Sequence, residues 1–127
     1  MPKWVRSGVL DNGLNDIKNT ATSMLLISNY ASGDSYAVVF GNRLNAGVAM
    51  VAADFTVAAS GNNRTLTTAS GKTATATASA AAPDLHIAFT DGAANVIWVT
   101  DETSNQPITN GNPLTFPALV YTSNQPT

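Results

Sequence analysis

Short strand-like runs recur along this chain at about ten-residue spacing, and strong turn signals punctuate them. The turn signals are Gly61-Asn62-Asn63, Ser70-Gly71-Lys72, Asp91-Gly92 and Asn110-Gly111. The runs between them are short and rich in Thr, Val, Ile and Phe, which suits strands far better than helices. Asp54–Ala58 alternates around Phe55 and Val57, and Arg64–Thr68 follows the first turn. Thr73, Thr75 and Thr77 alternate with Ala74, Ala76 and Ala78 inside the Thr73–Ala82 stretch, so a half-buried strand explains it better than low complexity. Leu85, Ile87 and Phe89 share one face of a strand, and Asp91-Gly92 opens the turn that returns it through Val96–Thr100. That return run is apolar on both faces, which predicts a central strand covered on both sides. Leu114–Thr122 closes the chain, with Pro117 placing it at an edge or a bulge.

The remaining segments are less regular. Ser35–Phe40 reads as a further strand and Gly41–Val51 as a loop or a short helix. Ahead of all of these, Leu14, Ile17, Ala21 and Met24 or Leu25 recur at helical spacing behind the capping candidates Asp11 and Asn12. The pattern predicts one helix over 12–22, preceded by an extended arm over 1–10. The expected fold is mainly β: an antiparallel β-sandwich, jelly-roll or immunoglobulin-like, of about seven or eight strands with one short N-terminal helix. Residues 11–127 form its single domain. Leu14, Ile17, Leu25, Phe55, Leu85, Ile87, Phe89, Val96, Trp98 and Val99 are the expected core.

Composition narrows the function classes. Of 127 residues only 11% are charged against 44% hydrophobic, and the formal net charge is −2. A globular chain usually carries about twice that share of charge. Lys3, Arg6, Lys18, Arg43, Arg64 and Lys72 are scattered singly, so no basic patch exists to neutralise a run of phosphates and nucleic acid is not an expected partner. Cysteine is absent, which removes disulfides, thiolate metal sites and thiol chemistry. No apolar run approaches a membrane-spanning length, and residues 1–16 lack the apolar core of a signal peptide. The expectation is a soluble chain made in the cytoplasm with no membrane partner.

Residues that carry chemistry are sparse. His86 is the sole histidine, and no second imidazole exists to complete a zinc site. Asp101-Glu102 is the one acidic pair, and adjacent strand residues point to opposite faces. Ser23, Ser60 and Ser70 lack the strand-to-helix context of a nucleophile, and Asn63-Arg64-Thr65 matches a glycosylation sequon by chance in a chain read as unsecreted. The expectation is therefore no enzyme, no catalytic residue, no cofactor and no metal. The residues singled out for interaction are Trp4, Val5 and Arg6. An arm this short cannot bury Trp4 by itself, and an aromatic beside a cation is a compact anchor for an acidic neighbour.

Read as a whole, the chain resembles the small β-sandwich virion structural proteins of tailed bacteriophages. Leu10–Asn19 followed by the apolar run Met24–Ser28 is similar to the opening of that class. Leu85-His86-Ile87-Ala88-Phe89-Thr90-Asp91 is similar to its "hvAlvD" strand and Val96-Ile97-Trp98-Val99-Thr100 to its "LLaVT" strand. Ile108-Thr109-Asn110-Gly111-Asn112-Pro113 resembles its "lTaGnp" turn, and Leu114–Val120 its closing strand. The resemblance spans most of the chain and is weakest over 30–60. It implies a virion protein that decorates or cements a capsid, with the major capsid protein as partner and self-association as a trimer. A tail- or fibre-associated structural protein of the same kind of particle is the alternative, and a carbohydrate-binding β-sandwich module is the alternative of another class.

Overall fold

The computed structural model describes residues 3–102 and 104–127. Helix α1 spans Ser7–Thr20, so it starts ahead of the predicted 12, takes in the last four residues of the predicted arm and ends two residues before the predicted 22. Leu10, Leu14 and Ile17 form its buried stripe, and burial of Leu10 pulls the first turn into the helix although Arg6, the N-cap, supplies no side-chain cap. Asp11, expected as a cap, instead accepts from Arg64 Nε at 2.7 Å. This contact ties the helix to the sheet beneath it.

One layer is a four-stranded antiparallel sheet in the order β2-β1-β6-β7, formed by Val48–Ala49, Ser23–Ile27, His86–Thr90 and Val96–Asp101. The register pairs Met24 with Phe89 and Leu26 with Ile87, which puts these four side chains on the inner face. Leu25, Ile27 and Ala88 point to the outer face and are also buried. The second layer holds a three-stranded sheet, β3-β4-β9 (Phe55–Ser60, Asn63–Thr68, Val120–Ser123), and a two-stranded sheet, β5-β8 (Lys72–Thr75, Pro113–Phe116). Phe55, Leu66 and Phe116 meet Met24, Leu26, Ile87 and Phe89 in the main core, which Leu14 and Ile17 of α1 complete from the side. The fold is the expected mainly-β sandwich with a short N-terminal helix, built from nine strands among the described residues.

The Thr/Ala stretch keeps its predicted alternation: Ala74, Ala76, Ala78 and Ala80 pack against the core while Thr73, Thr75 and Thr77 are exposed. Its pairing changes along the way. Residues 72–75 bond to β8, Ala76 bridges to Asn45, and Ala80 bridges to Ile108.

Two expectations are corrected. Ser35–Phe40 is not a strand: Tyr36–Gly41 is a short helix, α2. Ser35 Oγ accepts from Val38 N at 3.4 Å, Tyr36 and Phe40 stack at i,i+4 with centroids 5.5 Å apart, and Val39 is buried beneath the outer face. The cap and the side-chain pair outweigh the β-propensity of the segment. The second correction concerns β7, which lies at the edge of its sheet and not at the centre. Val96, Trp98 and Val99 are accordingly half-buried, whereas Leu14, Ile17, Leu25, Phe55, Leu85, Ile87 and Phe89 are core as expected. Trp98 stacks on Phe89 at 4.9 Å with an 11° interplanar angle.

The segment between α2 and β2 continues the β2 edge of this sheet without regular strand geometry. Asn45, fully buried, accepts from Leu26 N at 2.8 Å through Oδ1 and donates to Met24 O through Nδ2 at 3.4 Å. Its side chain thus replaces a strand partner for β1 where β2 is too short to reach. Gly47 then turns the chain at φ +116, a conformation that favours glycine, and a Cβ there would also have to displace the Ser23 hydroxyl, which would lie 2.8 Å away.

The β6–β7 connection is held by one carboxylate. Asp91 Oδ1 accepts from the backbone N–H groups of Ala93, Ala94 and Asn95 at 2.9–3.0 Å, and Asn95 Nδ2 donates to Oδ2 at 2.7 Å. These donors hold the Asp91 carboxyl far below the usual carboxylate range. A pKa depressed on folding stabilises the protein above the unfolded value of about 3.9, and the contribution is lost as pH falls towards the folded value. The urea midpoint of the wild-type chain is therefore expected to fall on acidification below about pH 4. In Asp91→Asn the fall should be smaller, and an equal fall in both proteins would contradict this assignment.

Candidate interaction surface

The N-terminal segment ahead of α1 is short, extended and tethered. Gln125 binds Val5 on both sides: Val5 N donates to Oε1 at 2.9 Å, and Nε2 donates to Val5 O at 2.8 Å. The Gln125 backbone N donates in turn to Asn63 Oδ1 at 2.9 Å, and Lys3 Nζ donates to Thr127 O at 2.7 Å. The backbone of the segment is thereby fixed to the C-terminal tail and the β3–β4 turn. Its aromatic side chain is not buried by this: Trp4 is 71% exposed. It forms one wall of a depression whose other walls include Ala59, Gly61–Asn63, Arg64 and Gln125. Trp4, Val5 and Arg6 thus lie on one continuous strip, with Val5 half-buried and Arg6 exposed.

Sequence reasoning did not find the second feature of this side. β7 and β9 are the edge strands of their respective sheets, and they flank α1. Trp98 of β7 and Tyr121 of β9 meet edge to face at 5.7 Å across the gap. A cavity of about 260 Å³ lies there, lined by Leu14 and Ile17 of α1, Ile97 and Trp98 of β7, and Tyr121 of β9. Val120, one residue along β9, is 58% exposed. Edge strands carrying apolar side chains are ready templates for another chain. The signal in the sequence was the run apolar on both faces, but only the sheet order shows that it marks an edge.

Charge is unevenly divided between these parts. Lys3 and Arg6 are two of six basic residues, and all eight acidic residues follow them, so residues 7–127 carry four basic and eight acidic groups, a formal −4. The segment that displays Trp4 is basic and the body behind it acidic.

No family model matches this chain, and no curated protein or solved structure matches it either. The physical features of the site must therefore carry the reading.

The other residues weighed from the sequence fall elsewhere. Ser60 ends β3 beside the Gly61-Asn62 turn, and Ser70 lies in the β4–β5 connection. Ser23 opens β1. His86 is not isolated, as its sequence context suggested: the β6–β7 register sets it directly opposite Asp101. Of the aromatic rings with substantial exposure, Phe40 is capped by the Arg43 guanidinium at 3.8 Å and Tyr121 abuts Trp98. Between the two layers lies a larger cavity of about 500 Å³, where apolar Leu85, Ile87 and Phe116 face polar Glu102, Ser104 and Gln106. No helix among the described residues is long and apolar enough to cross a membrane.

Proposed function

We propose that this chain is a non-enzymatic structural protein of a virus particle, which decorates or cements a bacteriophage capsid by bridging shell subunits. The observation that carries this reading is the display of Trp4. The backbone of the next residue, Val5, is clamped through Gln125 to the rest of the domain, so the ring projects from a tethered segment rather than a frayed end. A large aromatic side chain fixed in solvent gains nothing for its own fold, whereas on a partner it is an anchor of the kind that dominates protein interfaces. Arg6, exposed beside it, suits an acidic partner surface, either a sister copy or the major shell protein. The sparse charge elsewhere adds to the argument, since few ions need desolvating when the protein is packed among neighbours. Several contacts made at once by a trimer would raise the resistance of a shell to internal pressure without any single contact being strong.

Trp4→Ala tests this directly. Little buried area is lost, so the thermal midpoint should stay within a degree or two of the wild type. Incorporation into particles and self-association should weaken by at least tenfold, since a central aromatic anchor is worth about 2 kcal/mol or more. A variant that assembles as well as the wild type would remove the arm from the interface. Electron cryomicroscopy of the particle separates a position on the shell from one on the tail.

A further inference from the structure

The geometry points to a binding site for a divalent transition ion of the zinc class, formed by Asp84, His86 and Asp101 on the outer face of the four-stranded sheet. One ligand atom from each of the three lies within 4.8 Å of the others. The imidazole is oriented for the role. His86 Nδ1 is 2.9 Å from the Asp84 backbone carbonyl, which can only accept, so Nδ1 carries the proton and the lone pair of the neutral ring sits on Nε2. A backbone carbonyl that fixes the tautomer in this way is the usual outer support of a metal-bound histidine.

Nε2 faces the Asp101 carboxylate at 3.6 Å. That is longer than an ordinary N–H···O hydrogen bond, which spans about 2.7–3.2 Å. It matches the roughly 3.4 Å between two ligands sharing one tetrahedral ion bound at about 2.0–2.2 Å. In the neutral ring a lone pair set against a carboxylate is repulsive, and a cation between them removes the repulsion.

The backbones that bear these groups are held in place before any ion arrives. His86 and Asp101 are cross-strand partners. Asp84 N donates to Ser28 O at 3.0 Å. Asn105 accepts from Leu85 N at 2.8 Å through Oδ1, and its Nδ2 lies 3.5 Å from Asp84 Oδ1. The Tyr30 ring packs against the imidazole at 5.8 Å. The two carboxylates are exposed, so side-chain rotation can draw them the last ångström onto an ion. One nitrogen and two oxygens leave at least one coordination position for water. The ion would pin the open edge strand β7 and the loop before β6 to each other.

The sequence makes the test unusually clean. His86 is the sole histidine and cysteine is absent, so binding that depends on an imidazole or a thiolate has one possible address. Titration calorimetry of the full, tag-free chain with zinc chloride should show one saturable site per protomer. His86→Gln and Asp101→Asn should each weaken its Kd by at least tenfold, while magnesium shows no such dependence. Zinc should also raise the wild-type melting temperature and leave that of His86→Gln unchanged. Should His86→Gln fail to fold, NMR of the single imidazole in the wild type decides, because its resonances must shift and saturate at one equivalent of zinc. Absence of saturable binding, zinc affinity unchanged in the variants, or an imidazole unmoved by zinc would overturn the proposal.

Discussion

Phe89→Ala is expected to lower the unfolding free energy by about 3–5 kcal/mol, the usual range for removing a buried phenylalanine. The ring is fully buried at the centre of the main core. Trp98 stacks on it at 4.9 Å and Phe55 meets it edge-on at 5.9 Å, so its loss opens a void between two aromatic neighbours that cannot both collapse into it. Urea denaturation should show the midpoint falling with an unchanged slope. Trp98→Ala should have a smaller effect, because Trp98 sits on an edge strand and is only half-buried. A loss below about 1 kcal/mol at Phe89 would mean that the two layers do not pack through this ring.

Asn45→Ala is expected to destabilise by about 2–4 kcal/mol, an effect large for a polar side chain. The substitution strips the acceptor from Leu26 N–H and the donor from Met24 C=O, both inside the protein, and leaving a buried donor unsatisfied costs about 1–3 kcal/mol before the void is counted. Asn45→Asp discriminates between packing and hydrogen bonding. It preserves shape and the acceptor to Leu26, yet buries a charge that cannot donate to Met24 O, so at neutral pH it should be at least as damaging. Hydrogen exchange at the Leu26 amide reads the same bond locally, and protection unchanged in Asn45→Ala would contradict the role assigned to this side chain.

These two residues mark what the sequence makes legible. Phe89 sits in a strand whose alternation with Leu85 and Ile87 identifies both the element and its buried face. The same rule holds along the Thr/Ala stretch, where Ala faces inward even after the pairing partner changes. Asn45 could not be read this way. Its function depends on β2 ending after two residues and on the chain passing beside β1, both of which are tertiary facts. The misreading of Ser35–Phe40 has a local cause instead, since a serine cap and an i,i+4 aromatic pair act within six residues and outweigh β-branched composition. The apolar run at Val96–Thr100 was recognised as a strand, but hydrophobicity on both faces does not distinguish a central strand from an edge that meets a partner. His86 and Asp101 are fifteen residues apart, and only the hairpin register brings them face to face. Trp4, by contrast, stood out in the sequence as an anchor without a core, and its exposure is consistent with that role.

The central claim is that this chain works by associating through the surface around its N-terminal segment. Sedimentation velocity of the tag-free protein, followed from dilute to millimolar concentration, tests it most directly. The account predicts a species larger than the 13.1 kDa protomer that grows with concentration, a trimer being favoured, and that is diminished in Trp4→Ala at an unchanged melting temperature. A protein that sediments as a monomer across the whole range would contradict the self-association. Failure of that monomer to bind any shell subunit would contradict the account as a whole.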